Sequence, residues 1–258
     1  MTITVSLARH GHVAEIRFAK PPHNYACPQL LRQIADRLDE VDADPDLRCS
    51  VLASEGKSFC AGADLAGDES IATGDGMAAI GALYVQAQRI AARKKPMVAA
   101  VQGAAIGAGL GLALVADFRV AGPQARLSSN FVRLGFHPGF GLTFSLPRLI
   151  GQQHAAWMML SAERVKPDRA LAWGLVDRVA DFGADPVGEA HAMAREIAAN
   201  APLALLSVRA TMQAGYLAGM QAAMAHEHAQ QTALKHTADY AEGVASVFER
   251  REANFTGR

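Results

Sequence analysis

Two short stretches hold the residues best suited to chemistry. The first is Gly56–Leu65, Gly-Lys-Ser-Phe-Cys-Ala-Gly-Ala-Asp-Leu. It follows an apolar strand candidate, and its small residues let a ligand approach the backbone closely. The second is Ala99–Leu112, Ala-Ala-Val-Gln-Gly-Ala-Ala-Ile-Gly-Ala-Gly-Leu-Gly-Leu. Here a strand passes through a Gly-rich turn into a helix. First-turn amides of a helix lack intrahelical partners, so an oxyanion or another anion could be held there. The alternative use of these glycines is close packing of a helix on a strand.

Other chemistries fail on spacing. Gly107, Gly109 and Gly111 give GxGxG, not the GxGxxG of dinucleotide sites, and no acid lies near Ala125–Leu127. There is no GxxxxGK[ST] and no GxSxG. The three cysteines, Cys27, Cys49 and Cys60, form no CxxC pair and read as reduced thiols in a cytoplasmic protein. Cys60 reads as a small buried residue rather than a nucleophile. Lys+Arg and Asp+Glu both total 25, which argues against a nucleic-acid partner held by a strong basic field. The apolar runs fall far short of about 20 residues, so no membrane helix is expected, and no secretory signal is visible.

These loops need elements to hold them. Half of the 258 residues are hydrophobic, enough for a sizeable core. Val5–Leu7 and Ala14–Phe18 read as paired strands with a turn near Gly11. Leu30, Leu31, Ile34, Leu38 and Val41 mark one helix face at 3.6 spacing. Cys49–Ala53, Pro96–Val101 and Phe118–Ala121 read as strands, and Met77–Arg93 and Leu110–Ala116 as helices. Alternating strands and helices predict a largely parallel α/β core. Beyond Gly151 the chain reads as helical without convincing strands: Ala155–Leu160, Pro167–Trp173, Pro186–Ala199, Pro202–Ala225 and Tyr240–Arg251.

The two loops, together with Arg48-Cys-Ser-Val-Leu52, Lys95-Pro-Met-Val-Ala-Ala-Val-Gln-Gly103, Ala116-Asp-Phe-Arg119, Leu134-Gly-Phe-His-Pro-Gly-Phe-Gly141, Leu146-Pro-Arg-Leu-Ile-Gly151, Ala172-Trp-Gly-Leu-Val-Asp177 and Glu242-Gly-Val-Ala-Ser-Val-Phe-Glu-Arg-Arg251, resemble the crotonase (enoyl-CoA hydratase/isomerase) superfamily over nearly the whole chain. The resemblance implies a spiral of ββα units over residues 1–200 and a helical oligomerisation region over 201–258. It also implies a homotrimer or dimer of trimers, and an acyl-CoA substrate with no cofactor beyond the coenzyme A that the substrate carries. Its shared chemistry is a thioester enolate held by two backbone N–H groups, which fall here on Ala63 and Ala108. Small side chains suit such amides, and preorganised donors in a dry site contribute several kcal/mol to the transition state. Ala61, Asp64, Leu65, Gly107, Phe131 and Phe136 are the implied substrate-side residues, with Asp64 as a loop-fixing group near the CoA. Arg250 or Arg251 of a neighbouring subunit is expected at the CoA phosphates.

The resemblance breaks where the family's hydratases carry two glutamates. Those positions hold Gly111 and Phe131, which can neither activate water nor carry a proton. Gly139 stands where the aryl-CoA dehalogenases place a nucleophilic aspartate, and His137 where the naphthoate-synthase branch has a catalytic aspartate. A histidine suits proton transfer near neutral pH, so His137 is the candidate proton carrier, or else a loop histidine. Three outcomes follow: a hydratase/isomerase-group enzyme of unfixed reaction, a hydrolase, decarboxylase or C–C lyase using His137, or a silent acyl-CoA-binding protein. Arg133 is a candidate for closing on a substrate carboxylate, with a surface role favoured. Phe131, Phe136, Phe140 and Phe144 suggest an apolar pocket, in part drawn from Ala66–Ala82. Asp117 reads as structural. His226, Glu227, His228 and His236 read as a solvated helix surface, and no metal site is expected.

Overall fold

The computed structural model describes residues 2–64 and 76–258. The chain opens with β1 (Thr4–His10) and β2 (Val13–Ala19), paired antiparallel across a turn where Gly11 takes φ 63°. Helix α1 (Pro28–Ala43) buries the apolar face read from the spacing. There follow β3 (Cys49–Ser54), α2 (Gly76–Ala91), β4 (Met97–Val101), β5 (Ala104–Ile106), α3 (Ala108–Leu114), β6 (Phe118–Ala121) and β7 (Arg126–Ser128). After a 3₁₀ turn (Phe131–Leu134) come α4 (Leu142–Ser161, broken at Gly151), α5 (Pro167–Ala172), β8 (Arg178–Val179) and α6 (Pro186–Ala198). Helices α7 (Pro202–Met212), α8 (Tyr216–Leu234) and α9 (Ala238–Glu249) end the chain. The sequence predicts a single helix over Pro202–Ala225. It is interrupted at Gly215, whose φ of 78° lies in the left-handed region that glycine accepts most readily.

The main sheet has the order β1-β2-β3-β4-β6-β8 and is parallel from β2 onward. Strands β3 and β4 are buried at every position because both faces of the sheet are covered. Val51, Ala53, Val98 and Ala100 pack under α6, while Leu52, Met97, Ala99 and Val101 face the larger core that includes α1, α2 and α3. The second sheet, β5-β7, has three residues per strand and was not legible in the sequence, where Gly103–Gly111 reads as a turn.

Asp117, just after α3, ties four segments together. Its carboxylate accepts from Met97 N (2.9 Å), Arg93 Nη2 (2.5 Å) and Arg209 Nε (3.1 Å), and Arg209 Nη1 also donates to the Arg93 carbonyl. Burial pushes this carboxyl up, but the two guanidiniums and the backbone donor outweigh burial. Its pKa therefore lies below the ordinary 3.8. A depressed carboxylate contributes stability that is fully present above its unfolded pKa and is lost as pH falls through the folded one. Asp117→Asn is therefore expected to cost about 3–5 kcal/mol at pH 7, because two buried arginines lose their counter-charge. Urea unfolding at pH 7 and pH 3 checks this: the gap between wild type and variant should narrow at the lower pH.

Candidate active site

The two glycine-containing loops meet because their backbones are stitched together. Cys60 N–H donates to the Ala104 carbonyl (2.9 Å), and Ile106 N–H donates to the Cys60 carbonyl (3.0 Å), which makes a parallel bridge between the first loop and β5. On its other side, Gly107 N–H donates to the Ser128 carbonyl of β7 (2.9 Å). Two glycines permit this approach. A Cβ on Gly109 would fall 2.0 Å from the Cys60 carbonyl oxygen, and Gly107, at φ 53° and ψ −116°, has a backbone that side chains rarely adopt. The first loop is anchored in turn by Ala61 N–H on His23 O (3.1 Å) and Ala26 N–H on Gly62 O (2.8 Å).

A cleft of about 390 Å³ opens between the loops, and Ala61, Ala63, Gly107, Ala108, Phe131 and Phe136 all line it. Among the described residues, neither the Ala63 nor the Ala108 N–H donates to another protein group. The sequence reading missed His23, Tyr25, Arg126, Asn130, Arg164 and Val247, which also line the cleft. No carboxylate does so among the described residues.

Other expected site residues lie elsewhere. Asp64 is buried and accepts from Lys20 Nζ at 3.0 Å, and it does not line the cleft. Leu65 lies outside the described residues, as does 66–75 of the stretch expected to form pocket wall. His137 is not among the cleft-lining residues. Its Nδ1 donates to the neighbouring Pro138 carbonyl (2.7 Å), and its ring meets His226 edge-on, 6.0 Å between centroids. Arg133 is exposed and off the cleft. Phe140 fills core rather than lining the pocket: a Cβ on Gly111 would fall 2.5 Å from its ring, which also meets Tyr84 edge-on. Phe144 packs against Tyr216 and under Arg148. Arg251 is paired with Glu242 and Glu249.

Two readings of titratable groups resolve in opposite ways. Cys60 is fully buried and burial pushes its thiol up to about 11, which suits a small core residue and not a thiolate nucleophile. Glu227 is fully buried, not part of a solvated surface. It accepts from Gly141 N (2.7 Å), Thr143 N (2.9 Å) and Thr143 Oγ1 (2.6 Å), and so fixes the start of α4 from α8. Burial raises its pKa despite those donors. Among the described residues, a different grouping has metal-ligand types: His10, Glu15 and His191 bring donor atoms within 4.8 Å of one another, away from the cleft. There Glu15 is already engaged by Arg17 Nε (2.8 Å) and His191 Nε2 (2.7 Å).

The family model for enoyl-CoA hydratase/isomerase matches residues 8–258. The chain belongs to that family. It is 36% identical over 234 residues to the probable enoyl-CoA hydratase EchA14 of Mycobacterium tuberculosis, covering 89% of each chain. It is 30% identical over 254 residues to a probable enoyl-CoA hydratase of Bacillus subtilis, covering 98% of each. Among solved structures, EchA1_1 of Mycobacterium paratuberculosis superposes with a TM-score of 0.84 at 29% identity over 98% of both chains. The α/β architecture is thus the crotonase fold expected from the sequence, and the family supports an acyl-CoA-processing enzyme. No helix among the described residues is long and apolar enough to cross a membrane.

The close approach at Gly109 gives a paired test. Gly109→Ala forces a methyl group onto the Cys60 carbonyl and is expected to cost about 1–3 kcal/mol. Gly188→Ala on α6 meets open space and is expected to stabilise by about 0.5–1 kcal/mol through helix propensity. Thermal unfolding of the two variants should shift in opposite directions.

Proposed function

We propose that the chain binds an acyl-CoA thioester with its carbonyl oxygen between the Ala63 and Ala108 amides and stabilises the enolate formed when the α-carbon loses a proton. The observation that carries this reading is the pair of unengaged N–H groups in one cleft, set by the backbone stitching of Cys60, Ala104 and Ile106. Negative charge gathers on the thioester oxygen during the reaction, and donors fixed in advance bind that charge better than they bind the neutral carbonyl.

The proposed reaction differs from simple hydration. Gly111 and Phe131 stand at the positions of the two hydratase glutamates, and no described carboxylate lines the cleft. Each acid–base group typically contributes about 10²–10⁴-fold, so crotonyl-CoA hydration should be very slow. His137 remains the proposed proton carrier for an alternative lyase, decarboxylase or hydrolase reaction. Its support is chemical: with Nδ1 donating to Pro138 O, Nε2 is left as the proton acceptor. We also propose a trimer or dimer of trimers, supported by the exposure of Leu160, Leu203 and Met212, each more than three-quarters exposed in the single chain.

Ala108→Pro tests the central claim. Residue 108 is the first of α3, where proline is well tolerated, so the substitution deletes one N–H with little cost to the helix. Turnover of the enzyme's CoA thioester, followed by HPLC, is expected to fall about 10²–10³-fold while calorimetry still shows CoA binding. Unchanged turnover would remove Ala108 from the oxyanion site. His137→Ala is expected to abolish turnover while leaving CoA binding nearly unchanged. Retained turnover would restrict the mechanism to groups within the cleft.

A further inference from the structure

We infer that the cleft carries a specificity site for a carboxylate at the far end of a short acyl chain, formed by Arg126 and Arg164. This rests on the acyl-CoA reading above and names the substrate class within it.

Backbone register puts the two arginines together. In β5-β7, Ala104 pairs with Arg126 and Ile106 with Ser128. Leu127 also forms an antiparallel bridge with Val165, each donating to the other's carbonyl (3.0 and 2.8 Å). Side chains alternate along such segments. Ala105, Leu127 and Val165 point into the core, while Ala104, Ile106, Arg126 and Arg164 turn to the other face and line the cleft. That face leads directly into Gly107 and Ala108.

Among the described residues, neither guanidinium has an acidic partner. Arg164 makes no hydrogen bond or ion pair among the described residues, and Arg126 has only the Ala125 carbonyl (2.6 Å). The nearest acid in sequence, Glu163, is occupied by Arg169 Nη1 (2.6 Å) and Trp157 Nε1 (2.5 Å). Two cations in a concave site with no described carboxylate make a field that favours an anion, and a guanidinium fork suits a carboxylate.

Strand spacing brings the arginines within reach of the acyl end. Neighbouring strands lie about 4.8 Å apart, so Arg164 starts roughly 10 Å from Ile106, and its side chain spans a further ~6–7 Å. A carboxylate at the end of a five- or six-carbon acyl group falls within that reach of a thioester held at Ala108.

Calorimetry with saturated probes, which cannot be hydrated, separates the outcomes. Wild-type protein should bind glutaryl-CoA about tenfold or more tightly than butyryl-CoA or the methyl ester of glutaryl-CoA. The Arg126→Gln/Arg164→Gln double variant, checked for folding by circular dichroism, should bring that ratio to within about twofold of one. Equal wild-type affinity for glutaryl-CoA and butyryl-CoA would overturn the inference and leave the acyl-CoA reading standing. An equal loss for free CoA, butyryl-CoA and glutaryl-CoA in the double variant would assign the arginines to the CoA phosphates and also overturn it. Absence of binding by every CoA thioester would instead overturn the acyl-CoA reading itself.

Discussion

The contact between the Gly109 backbone and the Cys60 carbonyl sets how closely two otherwise separate loops can approach. Each loop emerges from its own strand, β3 or β4, and the parallel sheet delivers both to one side of the molecule. Backbone bonds from Cys60 to Ala104 and from Ile106 back to Cys60 then lock them in register. Because the contact is backbone on backbone, no rotamer can adjust to relieve an added methyl group. The cleft is therefore only as well formed as the packing beneath it. That packing is an apolar floor of Ala105 and Leu127, both fully buried.

Charge is distributed in a complementary way. Two buried ion clusters sit at the edges of the frame: Asp117 with Arg93 and Arg209 where α2, β4 and α7 converge, and Asp64 with Lys20 under the first loop. Each is a paired or multiply bonded group whose desolvation is compensated locally. The cleft has the opposite character, with cations unopposed by described acids. Glu227 shows how distant elements take part. From α8 it holds the amides that begin α4, and so fixes the chain just beyond Phe136.

Much of the fold was legible in the sequence. The 3.6 spacing from Leu30 to Val41, the short apolar stretch of β3 and the alternation of elements follow from local rules, and both loops were located. What was hidden depended on long-range pairing. Strands β5 and β7 are three residues long and lie among glycines, so no periodicity marks them. Without that sheet, Arg126 and Arg164 had no reason to be placed together. Glu227 looked solvated because α8 has apolar residues on several sides, and its buried face is chosen by its neighbours α2 and α4. Phe140 read as pocket lining because sequence cannot show that Gly111 leaves room for its ring.

Phe140 and Gly111 are locked in a reciprocal arrangement, and this constrains the order in which the chain could change. A side chain at 111 would begin 2.5 Å from the Phe140 ring, so a carboxylate there is blocked while the ring remains. Phe140 itself sits at φ 64°, where a residue with a Cβ costs roughly 1–2 kcal/mol and glycine does not. Replacing Phe140 by glycine would relieve that cost while opening a cavity worth about 3–5 kcal/mol in lost packing. The accessible route to an acidic side chain at 111 therefore passes first through a smaller residue at 140, in a protein with enough stability in reserve to survive the intermediate step.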